Sequence, residues 1–351
     1  MEERPRVALG MSGGVDSSVA VAVLQHHGYD VLGVTCLFDR TEKSMQAARD
    51  AAAVCARFGI EHVAHDCAAA FEERVVAPFV DAYRDGLTPS PCVSCNACMK
   101  IPALLDVAAA HGCAQVATGH YARVNRMQDS GRYAVLTALD HRKDQSYMLA
   151  LLSQEQLARL VLPLGGMTKL EVRAFAADLG LEVADAPDSQ DICFAPHGYR
   201  TLLAQRGVVE EPGDIVNYAG EVLGRHAGLS GYTVGQRRGI GVAGSEPYYV
   251  IEKRAATREL VIGTEEESRI GSVLVRDVNW QAVAAPGSAQ EAMVKLRYRS
   301  TPCACIIEPV DERCVRAVLL SPQPATAPGQ YAVFYQGSVV LGGGMIEEVR
   351  S

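Results

Sequence analysis

The stretch that most constrains this chain lies near its start. A short apolar run, Arg6-Val7-Ala8-Leu9, leads into Gly10-Met11-Ser12-Gly13-Gly14-Val15-Asp16-Ser17, and a helical pattern follows over residues 17–27, closed by Gly28. Strand, glycine-rich turn and helix in this order make an anion site. Glycines permit positive φ and let backbone N–H groups come close to an anion. The helix turns the positive end of its dipole toward the same point. Ser12 and Ser17 add hydroxyl donors, and Asp16 is placed to orient the loop or to bind Mg2+. The run matches neither Gly-x-x-x-x-Gly-Lys-Ser/Thr nor Gly-x-Gly-x-x-Gly. Its competing reading is an ordinary glycine-rich turn.

The segments that follow repeat the alternation. Strands are expected at residues 31–37, 61–64 and 115–118, and helices at 44–58 and 97–111, each helix followed by a glycine. Strands alternating with helices imply a mostly parallel, doubly wound sheet. From about residue 205 the helical patterns stop. Strands are expected at 214–217, 248–251 and 260–262, then at 273–275, 294–298, 315–319, 331–335 and 339–341, with a hairpin loop at 322–329. The fold expected is an α/β domain over residues 1–204, a small β-rich central domain over 205–267, and an antiparallel β-barrel over 268–351.

The chain has 351 residues, of which 48% are hydrophobic and 21% charged, with a formal net charge of −8. These values exclude a disordered chain and an indiscriminate basic nucleic-acid binder. The longest apolar run near the N-terminus, residues 19–24, falls far short of the roughly 20 needed to span a bilayer, so no membrane partner is expected. No signal-peptide core follows Met1, and a cytoplasmic location is expected. The 11 cysteines are then expected to be reduced, buried, metal-bound or catalytic.

With Ser12 through Ser17 directly after a strand, the loop resembles that of the PP-loop ATP pyrophosphatases. The resemblance implies that residues 10–17 grip the pyrophosphate of ATP and that a carbonyl or carboxylate oxygen is adenylated.

The thiols narrow the acceptor. Pro91-Cys92-Val93-Ser94-Cys95-Asn96-Ala97-Cys98-Met99-Lys100 reads as a loop entering a helix, and Cys193 follows in Asp188-Ser189-Gln190-Asp191-Ile192-Cys193-Phe194. A helix N-terminus and the nearby Lys100 are expected to lower the thiol pKa values there, so that thiolate is available at neutral pH. Cys36, Cys55, Cys67, Cys113, Cys303, Cys305 and Cys314 read as small buried hydrophobes.

Further motifs run in order along the chain: residues 117–123 around Gly119-His120, then Lys143-Asp144-Gln145-Ser146-Tyr147, then Gly228-Leu229. Tyr232-Thr233-Val234-Gly235-Gln236-Arg237-Arg238-Gly239 and Lys295-Leu296-Arg297-Tyr298-Arg299 complete the set. Together with the loop and the Cys95-Asn96-x-x-x-Lys100 run, they resemble the bacterial tRNA-specific 2-thiouridylases over nearly the whole chain. The resemblance implies ATP-dependent adenylation of O2 of the wobble uridine of tRNA, followed by sulfur transfer to C2 with release of AMP. It implies a persulfide on Cys193, supplied by a sulfur donor or relay protein. Cys95 then completes the transfer, with a Cys95–Cys193 disulfide as by-product. Cys36 and Gly119 match positions near the adenine nucleotide. Ser90, Pro91 and Cys92 match the stretch that meets the target base. His120, Lys143, Asp144, Gln145, Arg297, Tyr298 and Gln330 match positions that touch tRNA. Read alone, Arg297 and Arg299 share one face of a strand, which suggests only a solvated barrel surface.

The chain departs from the family pattern at two places. Cys36 replaces a methionine, a change expected to adjust packing. Cys92 replaces an acid, which creates Cys-x-x-Cys-x-x-Cys with Cys95 and Cys98. Cys92, Cys95 and Cys193 are therefore a candidate ligand set for a [4Fe–4S] cluster whose fourth iron carries sulfide. The competing readings are the persulfide scheme and a structural zinc site. Two other function classes are open as well: a PP-loop amide-forming ligase, and a non-catalytic iron–sulfur or RNA-binding module.

Overall fold

The computed structural model describes residues 4–181 and 192–351. Residues 188–191 of the second cysteine motif lie outside them. In chain order the first part contributes β1 (Arg6–Gly10), β2 (Asp30–Leu37), β3 (His62–Asp66), β4 (Gln115–Ala117), β5 (Ala122–Arg126), β6 (Tyr133–Thr137) and β7 (Leu160–Val161). Five of these form one sheet in the order β3-β2-β1-β4-β7, and every pairing in it is parallel.

Alternation along each strand buries both faces. Val7 and Leu9 pack with α1 (Val15–His26) and α2 (Glu42–Arg57), while Ala8, Leu32 and Val34 pack with Ile101 and Leu104 of the helix on the other side. Such strands read as unbroken apolar runs because neither face meets water. This is the doubly wound sheet expected. Its strand order reverses between β1 and β4, and in such sheets ligands bind in the crevice at that point.

The central sheet combines β8 (Gly213–Val216), β9 (Val222–His226), β10 (Tyr249–Arg254) and β11 (Glu259–Gly263) in the order β10-β11-β8-β9. The last part supplies β12 (Arg269–Trp280), β13 (Gln290–Lys295), β14 (Cys303–Pro309), β15 (Cys314–Pro324), β16 (Tyr331–Gln336) and β17 (Val339–Arg350). These six close into an antiparallel barrel through the β12–β17 pairing.

Two expected boundaries are corrected. The strand at 294–298 ends at Lys295, because Ser300 N–H donates to the carbonyl of Arg297 and folds residues 297–300 into a turn. Arg297 and Arg299 therefore do not share a strand face. The loop at 322–329 is shorter than expected, since β15 runs to Pro324 and pairs with β12 through Gln323 and Pro324.

The first domain and the barrel are fused more closely than their order in sequence suggests. The hairpin β5–β6 leaves the parallel sheet and joins the barrel sheet, where Leu136 pairs with Val339 of β17. Fully buried Gln281 stitches the same seam. Its Nε2 faces the carbonyls of Leu149 (2.9 Å) and Ala150 (3.1 Å), and its Oε1 accepts from Val135 N–H.

Candidate active site

The phosphate loop occupies the crevice where the strand order reverses. Met11 N–H donates to Val34 O (2.7 Å), which ties the loop to β2. Gly13 has φ +74, and a Cβ there would stand 3.1 Å from the carbonyl of Ala47, so only glycine passes this point without strain. Ser17 Oγ accepts from Ser12 N–H (3.3 Å) and donates to Gly14 O (3.0 Å). Gly14 caps α1 with no side-chain acceptor, so the helix's first N–H groups face the loop. Gly119, after β4, packs against the same turn: a Cβ there would touch Asp16 and Ser17 N at 3.4 Å.

Asp16 has partners that sequence reading did not supply. Lys169 Nζ lies 2.7 and 2.8 Å from its two carboxylate oxygens, and the Tyr121 hydroxyl donates to Oδ1 at 2.7 Å. Lys169 is 7% exposed. Its helix, Lys169–Asp178, opens with a capping box between Thr168 and Glu171. That box is visible in the sequence as Thr-x-x-Glu, but nothing there signals a reach across 153 residues to Asp16.

Two of the thiols ride on a helix that packs against the strands flanking this crevice. Pro91–Ala110 is one helix with a π-turn at Asn96–Lys100, flanked by α-helical Pro91–Cys95 and Ile101–Ala110. It is long and apolar enough to cross a membrane, yet it packs against β1 and β4 as a core helix. Cys92 and Cys95 thus lie within the helix, not on a loop before it. Carbonyls loosened by the π-turn find side-chain donors: Gln156 Nε2 for Ala97 O (2.8 Å) and Arg74 for Cys98 O (3.4 Å). Asn96 Nδ2 donates to Met148 O (3.0 Å), while its buried Oδ1 has no partner among the described residues.

Cys95 is buried, whereas Cys92 and Cys193 are exposed. Phe194 anchors Cys193 here, its ring 5.6 Å from Phe71 and 5.1 Å from Phe79. Each thiol of the trio lies near enough to influence another: Cys92 and Cys193 both act on Cys95, and Cys92 acts on Cys193.

The expectation of activated thiolates is overturned. Burial pushes the Cys95 thiol up to about 12; Lys100 pulls it down by less, and the neighbouring thiols raise it further. Cys92 and Cys193 also stand above the ordinary thiol range, because protein encloses them although solvent reaches their edges. Loss of hydration outweighs one nearby ammonium. Cys36 is half-buried and its thiol is raised, first by a hydrogen bond with Cys67 and then by burial. Among the described residues, no three His, Cys, Asp or Glu side chains are gathered as a single-ion site requires.

The positions matched to tRNA contact divide by what already holds them. Asp144 caps its own turn, accepting from Ala138 N–H (3.0 Å) and Ser146 Oγ (2.8 Å). Gln145 Oε1 accepts from Tyr121 N–H (2.9 Å). Arg297 Nη2 donates to Val234 O (2.8 Å) and Ala325 O (2.5 Å), bracing the barrel against the central domain. Gln330 Nε2 donates to Thr88 O (2.7 Å). Tyr298 is half-buried and lies close enough to Cys92 to feel its charge, so the barrel reaches the thiols. Lys143 is partly exposed. His120 is closed in on nearly all sides, which pushes its pKa down to about 3, and its Nδ1 lies 2.8 Å from Thr118 Oγ1. It acts here as a neutral hydrogen-bonding ring, not as a cation.

A glycine loop at the switch point of a parallel sheet, with paired thiols on a helix packed against that sheet and two β domains following in the chain, defines a PP-loop nucleotide-binding enzyme. Three family descriptions match in order: "tRNA methyl transferase HUP domain" over residues 5–197, "tRNA methyl transferase PRC-barrel domain" over 201–264, and "Aminomethyltransferase beta-barrel domain" over 271–346. The chain is 40% identical to the tRNA-specific 2-thiouridylase MnmA of Nostoc punctiforme, over 98% of this chain and 99% of that one. It is 43% identical to the protein of that name from Heliobacterium modesticaldum, over 97% and 92%. A solved U34-tRNA thiolase, NcsA of Methanococcus maripaludis, is 18% identical with a TM-score of 0.37, over 57% of this chain and 64% of that one. The chain belongs to the tRNA-specific 2-thiouridylase family.

Proposed function

We propose that this chain makes 2-thiouridine at the wobble position of tRNA, using ATP to activate the base. The observation that carries this reading is that the helix bearing Cys92 and Cys95 packs on the strand that opens into the phosphate loop, where a Cβ on Gly10 would stand 3.2 Å from Leu104, with Cys193 close enough to act on Cys95. In the proposed sequence the loop N–H groups of residues 12–17 hold the triphosphate of ATP. Uracil O2 attacks the α-phosphorus and pyrophosphate leaves, which turns a poor leaving oxygen into adenylate. The Lys169 ammonium, paired with Asp16, offsets negative charge at that end. His120, neutral and fixed by Thr118, is a hydrogen-bonding partner for the base or ribose. Extruding an unpaired loop base costs only a few kcal/mol.

Sulfur then replaces AMP at C2. Cys92, Cys95 and Cys193 fit a [4Fe–4S] cluster in donor chemistry: three thiols close enough to influence one another's charge, two of them open to solvent. Bound there, the cluster would supply sulfide from its fourth iron. A second reading is favoured by the exposure of Cys193 beside buried Cys95. A persulfide on Cys193, loaded by a donor protein, attacks C2 and displaces AMP. Cys95 then gives up its proton and attacks Cys193 Sγ, which breaks the S–S bond and releases thiouridine. The resulting Cys95–Cys193 disulfide is reduced by an external dithiol, which gives up two electrons and becomes a disulfide itself.

Iron and acid-labile sulfide per chain after anaerobic purification separate the two routes. About four of each, lost in Cys92→Ala, supports the cluster. No iron after reconstitution, with Cys92→Ala still thiolating tRNA from a persulfide donor, supports the carrier. If tRNA is never thiolated by either supply, the functional reading falls.

A further inference from the structure

Residues 85–90 connect the helix ending at Arg84 to the start of the catalytic helix at Pro91. This short strap is gripped from two sides. From the central domain, Lys253 of β10 donates to Leu87 O (3.2 Å), and its ammonium lies 5.7 Å from the centre of the Tyr83 ring. Tyr83 in turn stacks on Tyr199 at 5.0 Å. Beside it Gly86, at φ +75, approaches so closely that a Cβ would stand 3.0 Å from that of Ala255.

From the barrel, Pro328 O accepts from Thr88 N–H (3.0 Å), and Gln330 donates to Thr88 O (2.7 Å). Gly329, at φ +90, lets this loop lie flat on the strap: a Cβ there would stand 3.1 Å from that of Leu87. Both backbone polar groups of Thr88 are thus held by the barrel. Among the described residues its buried hydroxyl has no partner, so Thr88 is seated by its backbone and not by its side chain.

We propose that the strap at residues 85–90 sets where the catalytic helix begins, and that Lys253 and Gly329 are positioning residues for sulfur transfer. Two residues beyond Thr88 comes Ser90, the N-cap, and then the turn carrying Cys92 and Cys95. A displacement of the strap therefore moves the thiols and the base-facing Ser90 directly, while the phosphate loop is fixed separately by β1, β2 and β4. The barrel loop and the central domain act on one short piece of chain, so the two positioning residues are coupled through it.

This inference rests on the proposed thiolation, and its test keeps the two apart. Lys253→Met, Lys253→Arg, Gly329→Ala and the Lys253→Met/Gly329→Ala double variant are compared with the unaltered chain. Two readouts are taken: kcat for tRNA thiolation alongside KM for ATP and Kd for tRNA, and the rate of Cys95 alkylation by iodoacetamide. Lys253→Met and Gly329→Ala are each expected to lower kcat about tenfold and to raise Cys95 alkylation several-fold. KM and Kd stay within about twofold, Lys253→Arg restores most of kcat, and the double variant falls less than the product of the singles. Unchanged alkylation in both single variants, or strictly multiplicative effects, overturns the strap. Alkylation requires no turnover, so a chain that thiolates nothing counts against the functional reading alone. If Lys253→Met fails to fold, Gly329→Ala decides by the same two measurements.

Discussion

The two ends of the active site are built differently. At the phosphate end, nearly every constraint is local: β1, a glycine turn and α1 follow one another within 21 residues. Long-range contacts are added to it: Lys169 and Tyr121 on Asp16, and Val34 O on Met11 N–H. At the thiol end nothing is local except the Cys92–Cys95 spacing. Cys193 is brought in by Phe194 between Phe71 and Phe79, and the barrel supplies Tyr298. Burial sets the thiols' acidity. A motif specifies the first end, whereas assembly of three domains makes the second. Binding of nucleotide therefore ought to survive changes that destroy sulfur transfer, but not the reverse.

Lys169→Met attacks the phosphate end hardest. Losing the ammonium that meets Asp16 at the anion site is expected to lower kcat/KM for ATP about 100-fold with tRNA Kd unchanged, the scale of removing one preorganised charge-stabilising group. Pyrophosphate release assayed with saturating tRNA measures it. If ATP turnover persists while only thiolation is lost, the division between the ends is wrong.

The thiol end is sharpened by pH. A raised pKa means Cys95 stays protonated as pH climbs through the ordinary thiol range. Its alkylation by iodoacetamide is therefore expected to rise about tenfold per pH unit from 7 to 9.5, with no plateau near 8.5. A plateau there would place the thiolate in the free enzyme and restore the lowered pKa that the helix and Lys100 suggest. The same shift has a stability sign. Below about pH 9, Cys95 is neutral in both states; above it the unfolded chain ionises first, so its contribution to stability declines as pH rises toward 12.

The smallest effect tests the seam behind both ends. Gln281→Ala takes the acceptor from the buried Val135 N–H, at about 1–3 kcal/mol, while the carbonyls of Leu149 and Ala150 keep Leu152 N–H and Asn279 Nδ2 as donors. A cooperative loss of roughly 2 kcal/mol in urea unfolding is expected, with the first domain and barrel melting together. Separate transitions would show that the two fold independently.

What could be read from the sequence follows the same division. Residues 10–17 between an apolar strand and a helix fixed the parallel sheet and the crevice, since both rest on local periodicity and glycine. Lys169 was invisible because its partner is remote, though its capping box marked the helix. The thiol pKa values were misjudged for a definite reason. Dipole and Lys100 are visible in sequence, but the desolvation that outweighs them depends on Phe71, Val76 and Phe194, which only the fold brings into the cluster around Cys95. Arg297 looked like a surface residue on a strand; its turn and its two carbonyl partners come from Ser300, Val234 and Ala325.

The β5–β6 hairpin carries a consequence for synthesis. Leu136 finds its partner at Val339, about 200 residues later in the chain. At roughly 5–20 residues per second, a ribosome needs some 10–40 s to deliver that strand. Throughout that interval β6 presents an unpaired edge, which is a template for pairing with other chains. The nascent first domain is thus a client for chaperones until the final strand emerges, and a fragment ended near residue 204 would keep that edge exposed permanently.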